Sequence, residues 1–170
     1  MDAYEAIIAK RDRRDYLDKP IPEDVQSRIL QAGRMAGSSS NTQPFRFVVL
    51  RDPKGDVRQK IGPAGPGTAP LVKAPLSIVV CLQRGSRDFD VGRTAQNMMV
   101  AAWAEGIVSC PVGLREEAIA SAALGLPDDY VAAIGVAFGY PAPADPNAPV
   151  RPNSQRLPME DVVHYETWQA

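Results

Sequence analysis

The chain has 170 residues, 19 of them basic and 20 acidic, for a net charge of −1. This length predicts a single domain over residues 1–170, and the charge balance gives no reason to expect nucleic acid or an anionic membrane as a partner. Two cysteines and one histidine are too few for a disulfide framework or a zinc cluster. We expect a cytoplasmic protein, because the first residues lack the pattern of a secretory signal and no apolar stretch is long enough to span a bilayer.

The first half of the chain predicts two helices, a strand and a loop. Helical spacing of apolar residues predicts a helix over Asp2–Arg11, and Pro22 begins a second helix that we expect to end at Gly37. The run Phe45–Leu50 is dense in β-forming residues and predicts a strand. Ile61–Pro70 is so rich in glycine and proline that we expect a loop there.

The second half predicts two buried strands and two helices. The apolar run Leu76–Leu82 does not alternate with polar residues, which indicates a central strand covered on both faces. A long helix is expected over Asp90–Glu105 and a short one over Glu116–Leu124, followed by a strand over Tyr130–Phe138. This order predicts an α+β fold in which helices flank a mostly buried sheet.

Residues 140–170 are predicted to form an extended arm. Five of the thirteen residues in Tyr140–Pro152 are proline, which favours an extended connector. The tail that follows carries several large apolar and aromatic side chains, and these need a surface to bury against, which a second subunit would offer. His164 in this tail is expected to pack there, because its neighbours do not suggest a catalytic base.

Three stretches could carry chemistry. The cations at Lys10, Arg11, Arg13 and Arg14 could hold a phosphate, although a solvated helix end is the simpler interpretation of the cluster taken alone. The small polar run Ser38–Gln43 could present hydroxyl and amide groups to a ligand, or be an ordinary loop. No hydrolase or phosphate-loop motif is present and no side chain resembles a nucleophile, so a cofactor is expected to carry any catalysis.

The segment around Pro111 is the third candidate. It follows a short β-like stretch, and the Pro-x-Gly pattern over Pro111, Val112 and Gly113 predicts a turn. Such a turn could present backbone N–H groups to a flat ring, although an ordinary turn is the simpler interpretation.

Four segments of the chain, taken together with their order and spacing, resemble one known family. The most specific is the serine-rich stretch that ends in Asn-x-Gln-Pro and leads into a strand. The chain resembles the nitroreductase family of FMN-dependent oxidoreductases in Lys10–Val25, Gly37–Val49, Glu105–Leu114 and Gln155–Trp168.

The resemblance implies an α/β/α sandwich with a mostly antiparallel central sheet, and a homodimer that exchanges its C-terminal arm and holds FMN at the interface. NADH or NADPH would reduce the flavin at N5, and a nitroaromatic, quinone or similar small acceptor would oxidise it in a ping-pong cycle. The implied cofactor-binding residues are Lys10, Arg11, Asp12, Arg14, Ser38, Ser39, Ser40, Asn41, Gln43, Pro111, Val112, Gly113 and Arg156.

The implied roles differ between these groups of residues. Lys10, Arg11 and Arg14 would hold the FMN phosphate and reach the flavin, and Arg156 would also contact the phosphate. The loop Ser38–Gln43 would line the site largely from the partner subunit, and the Pro111–Gly113 backbone would pack against the ring. Asp12 stands where many members have serine, and an aspartate there also occurs in a flavin-fragmenting branch.

Two alternatives to a reductase remain open from the sequence. The stretch Arg51–Pro75 contains the loop Ile61–Pro70 where many members of the family carry longer helical material. This short loop could leave no platform for a nicotinamide. The protein would then store or sense FMN without rapid reduction by NAD(P)H. A scaffold that binds no flavin is the second alternative, and the retained cations argue against it.

Overall fold

The computed structural model of the chain describes residues 2–143 and 156–168. Its centre is a four-stranded sheet in which all neighbouring strands are antiparallel, in the order β1-β2-β4-β3. The strands are β1 (Phe45–Leu50), β2 (Leu76–Gln83), β3 (Val108–Gly113) and β4 (Tyr130–Gly139). Seven helices accompany them in the described residues: α1 (Ala3–Ala9), α2 (Glu23–Arg34), α3 (Asp56–Ile61), α4 (Ala69–Lys73), α5 (Asp88–Ala104), α6 (Glu117–Leu124) and α7 (Met159–Val162).

The sheet is covered on both faces, as the apolar run in β2 predicted. Ile78 and Val80 of β2 belong to the core formed with α2 and α5, whereas Val79 and Cys81 belong to the core formed with α3, α4 and α6. Alternate residues of a strand point to opposite faces, so a strand packed on both sides must be apolar throughout. The α/β/α sandwich and the antiparallel sheet are therefore confirmed. No helix of the described residues is both long and apolar enough to cross a membrane.

Two predicted boundaries in the first half are wrong. The second helix ends at Arg34 and not at Gly37. The Met35 backbone leaves the helical conformation (φ −81°, ψ 0°), and the Ala36 N–H donates at 3.0 Å to the Gly33 carbonyl, three residues back instead of four. The predicted loop Ile61–Pro70 contains a 3₁₀ turn over Gly62–Ala64 and the start of α4. Proline lacks an N–H, and the first turn of a helix is where that N–H has no partner, so Pro70 is compatible with helix.

The turn predicted at Pro111–Gly113 is also wrong, because these residues lie inside strand β3. Proline cannot donate a ladder hydrogen bond and is therefore found on edge strands, which is where β3 lies. The chain after α1 covers part of this edge. Asp12 forms a parallel bridge with Ser109, and the Arg13 N–H donates to the Ser109 carbonyl at 3.0 Å.

Arg58 of α3 is buried in the second layer of helices, with 1% of its surface exposed. Its guanidinium donates to the carbonyls of Leu71 and Ala74 at 3.0 and 2.6 Å, to the Leu50 carbonyl, and to the Ser77 hydroxyl at 3.1 Å. Burial lowers the pKa of Arg58 to about 10, so the group stays charged at neutral pH. One side chain thus ties α3, α4 and the ends of β1 and β2 together.

Candidate functional site

A concavity of about 270 Å³ lies where α1 ends, beside α5 and β3. It collects three cations from parts of the chain that are far apart in sequence: Lys10 and Arg11 near the N-terminus, and Arg156 near the C-terminus. The lining consists of Ile7, Lys10, Arg11, Asp12, Gln96, Met99, Pro111 and Arg156. Five of the predicted site residues therefore meet at one place: Lys10, Arg11, Asp12, Pro111 and Arg156.

The end of α1 positions the first two cations. The helix begins with a capping box between Asp2 and Glu5 and stops at Ala9, after which Lys10 takes an extended backbone. The Arg11 guanidinium turns back and donates to the carbonyls of Ile8 and Lys10 at 2.7 and 2.9 Å. These carbonyls belong to the unpaired negative end of the helix, so Arg11 is held in place by groups that need a donor.

Lys10 and Asp12 form an ion pair inside the concavity. The Lys10 side chain is only 9% exposed, and its ammonium group also lies 3.4 Å from the sulfur of Met99 on α5. Asp12 is more open, with 43% of its side chain exposed. The positive lining of the concavity thus contains one carboxylate, which is already paired.

Arg13 and Arg14 do not line this concavity. Arg13 donates to the Ala142 carbonyl at 2.8 Å and so fastens the chain that follows β4. Arg14 is exposed, and its predicted contact with the cofactor stays a prediction. Tyr16 follows in the same segment, and its hydroxyl donates to the Arg13 carbonyl. Burial raises the pKa of the Tyr16 phenol well above the ordinary value.

The predicted loop Ser38–Gln43 lies elsewhere on the chain and is not part of the lining. Three of its residues adopt left-handed backbone conformations, with φ of 49° at Ser40, 56° at Asn41 and 49° at Gln43. Such conformations cost free energy in residues with a side chain, and they cluster at binding sites. The loop is held from within, because the Gln43 N–H donates to the Ser38 hydroxyl at 2.8 Å. Within one chain, this loop and the cations are therefore not brought together.

Strand β3 presents its residues to two different surroundings. Pro111 lines the concavity, whereas the Val112 side chain is 3% exposed and packs in the core with Val79 and Cys81. Gly113 is exposed, and a side chain added there would meet no atom within 4 Å. The packing of this chain therefore does not explain why residue 113 is a glycine.

Sequence reasoning missed Gln96 and Met99 as lining residues. Both lie on α5 three residues apart, so they share a helix face. The spacing could have placed them together, but nothing in the sequence indicated that this face borders the cations. Cys81 is a buried free cysteine, and burial raises the pKa of its thiol to about 11. In the described ranges, no group of three or more His, Cys, Asp or Glu residues could hold a metal ion.

Comparisons with known proteins show sequence similarity to one family over nearly the whole chain. The model of the nitroreductase family matches residues 7–80 and 83–140. An NADPH-flavin oxidoreductase from Vibrio harveyi is 31% identical over 99% of this chain and 75% of its own length. An NADH dehydrogenase from Thermus thermophilus is 29% identical over 96% of this chain and 95% of its own length.

Solved structures agree with this fold. Nitroreductase A from Vibrio parahaemolyticus superposes with a TM-score of 0.84 at 26% identity, over 100% of this chain and 78% of that one. A Desulfovibrio desulfuricans protein solved in complex with FMN gives a TM-score of 0.82 at 25% identity, over 98% and 97% of the two chains.

The chain shares its fold, an α/β/α sandwich with an antiparallel sheet, with these solved structures. The chain is a member of the nitroreductase family. This confirms the resemblance drawn from its four sequence segments and the expected enzyme class, an oxidoreductase.

Proposed function

We propose that the protein is an FMN-dependent NAD(P)H oxidoreductase that reduces nitroaromatics, quinones or similar electron-poor small molecules. The observation that carries the proposal is the convergence of Lys10, Arg11 and Arg156 on one concavity. Guanidinium and ammonium groups are the side chains best suited to a phosphate dianion, which FMN carries. The relatives named for flavin and for NAD(P)H support the same cofactor and the same donor.

The residues present fit FMN in their chemistry. Arg11 keeps part of its guanidinium for a ligand after capping α1, and Arg156 approaches the concavity from the other end of the chain. Pro111 offers a rigid apolar surface, and the open side of Gly113 leaves the β3 backbone accessible. When bound, FMN supplies hydride transfer at N5, which agrees with the lack of a nucleophile in the lining. The protein's part is to hold the phosphate and to orient the ring.

We further propose that a second copy of the chain completes the site. The concavity of about 270 Å³ lies below the range of roughly 300–1,000 Å³ that is usual for small-molecule sites. The strained loop Ser38–Gln43 would enter from the partner subunit, as the family resemblance implies. Exposed apolar side chains support a dimer, since α1 leaves Tyr4 and Ile7 open to solvent at 72% and 58%.

The C-terminal tail is the second support for a dimer. Residues 144–155 of the predicted arm lie outside the described part of the chain, whereas residues 156–168 of the arm are described. In that tail, His164 stacks on Trp168 with ring centroids 4.1 Å apart, while large apolar side chains stay open to solvent. These are Leu157, Met159, Val162, Tyr165 and Trp168.

Deletion of residues 162–170 is therefore expected to weaken the dimer. The deletion removes three of the exposed apolar side chains, whose burial against a partner stabilises association by about 25 cal/mol per Å². Sedimentation at several protein concentrations measures the change, and it should show monomer at concentrations where the full chain is dimeric. A truncated protein that remains a tight dimer would contradict the proposed role of the tail.

Steady-state oxidation of NADH and NADPH tests the proposed activity. The FMN-loaded protein is given a nitroaromatic, a quinone or free FMN as acceptor, and an equal concentration of FMN without protein is the control. Turnover that requires both protein and acceptor is the expected result. If the protein binds FMN but gives no turnover with either nucleotide, the storage or sensing alternative replaces the reductase.

A further inference from the structure

One carboxylate lies among the cations that line the concavity, and it pairs with the most buried of them. Asp12 holds the Lys10 ammonium, the cation whose side chain is 9% exposed. We propose that Asp12 is a built-in competitor for the phosphate of FMN, so that the flavin binds reversibly and exchanges with free FMN. The inference rests on the proposed function, because it concerns the phosphate end of the same site.

Asp12 is a fixed part of the concavity. Its backbone is bridged to Ser109 of β3, and the next residue, Arg13, donates its N–H to the Ser109 carbonyl at 3.0 Å. Arg13 is held in turn by the Ala142 carbonyl, through its side chain, at 2.8 Å. The strand edge therefore keeps the backbone of the segment in place, so that the Asp12 side chain starts from a fixed position beside Lys10.

The pairing of Lys10 differs from that of the other two cations. The Arg11 guanidinium donates to two neutral carbonyls, and no ion pair of Arg11 or Arg156 occurs among residues 2–143 and 156–168. Among the described residues, Lys10 is the one of the three that pairs with a carboxylate, and its ammonium also lies 3.4 Å from the Met99 sulfur. An incoming phosphate therefore finds two available cations and a third that it must share with Asp12.

The charges in the concavity determine whether loss of the Asp12 charge strengthens or weakens FMN binding. Within residues 2–143 and 156–168, the lining carries three positive charges and one negative charge, and a phosphate brings about two more negative charges. At separations of a few ångströms and partial burial, two like charges repel by more than thermal energy. An uncharged residue at position 12 removes this repulsion and frees Lys10 for the phosphate. The repulsion acts on the phosphate alone, so a flavin without phosphate escapes it.

Titration of Asp12→Asn with FMN and with riboflavin, followed by flavin fluorescence, tests the inference. We expect Asp12→Asn to bind FMN about tenfold more tightly than the wild type, mostly through slower dissociation, and to bind riboflavin unchanged. Asp12→Ser, which adds a hydroxyl donor of smaller size, is the second variant and should show the same direction. Asp18→Asn is the control, because it makes the same change in net charge at an exposed residue outside the concavity.

The outcomes separate this inference from the proposed function. If the wild type binds neither flavin, the proposed function fails, and with it this inference. If the wild type binds FMN but both Asp12 variants bind it equally or more weakly, Asp12 does not compete with phosphate and instead positions Lys10. A gain that is equal for riboflavin, or equal in Asp18→Asn, would also overturn the inference.

Discussion

Replacing Arg11 by alanine is expected to weaken FMN binding by about 1.5–3 kcal/mol, or roughly 10- to 150-fold in the dissociation constant. Arg11 lines the concavity and is held there by the carbonyls of Ile8 and Lys10, so it needs little reordering to meet a phosphate. Fluorescence titration with FMN and riboflavin measures the loss, which should be confined to FMN. Arg11→Lys keeps the charge but loses the planar fork, and it should fall between wild type and Arg11→Ala.

Two further variants make this result specific. Arg51→Ala removes an exposed arginine that pairs with Glu23 and is not part of the lining, and it should bind FMN like the wild type. Arg14→Ala tests a contact that the family resemblance implies and that the concavity does not include. Unchanged FMN affinity in Arg11→Ala would mean that the phosphate is bound elsewhere.

Replacing Arg58 by methionine is expected to lower the free energy of unfolding by about 3 kcal/mol or more. Methionine retains much of the apolar stem but donates no hydrogen bond. The Ala74 carbonyl would lose its guanidinium donor in a buried place, and the Leu50 carbonyl would lose its donor in a partly buried one. Such orphaned acceptors cost more than the bond itself contributed, because they have also lost water. Urea denaturation monitored by circular dichroism measures the change.

Arg51→Met is the matched control for this stability measurement. Arg51 is half exposed and pairs with Glu23 at 3.3 Å, and exposed pairs contribute roughly 0–1 kcal/mol. The contrast between the two substitutions isolates burial, since the chemical change is identical. Equal unfolding free energies for the wild type and Arg58→Met would contradict the role of Arg58 in joining α3 and α4 to the sheet.

The sheet was the easiest part of the fold to predict from the sequence. Phe45–Leu50 is a strand with the expected bounds, and the apolar run in β2 correctly indicated cover on both faces. These predictions succeeded because side-chain patterning decides which surfaces are buried. Where proline and glycine dominated, the same reasoning failed. The sequence predicts a turn at Pro111 and a loop at Pro70, yet an edge strand and a first helical turn both tolerate a residue without an N–H.

The candidate site was only partly predictable. The sequence indicates the cations and the strained loop as candidates, because a cluster of charges and a run of small polar residues are each contiguous in the chain. The meeting of Lys10 with Arg156, and the presence of Gln96 and Met99 beside them, depends on how distant segments pack. The burial of Arg58 could not be predicted from the sequence either, because an arginine among polar residues usually indicates a solvent-exposed side chain.

Anaerobic reduction of the FMN-loaded protein is the most direct test of the central claim, that this is a flavin-dependent NAD(P)H oxidoreductase. The visible spectrum is recorded with FMN bound, and NADH or NADPH is then added in the absence of oxygen. Rapid bleaching of the bound-flavin absorption by at least one nucleotide, with recovery on adding a quinone, is the predicted result. Bound flavin that stays oxidised with both nucleotides would contradict the account.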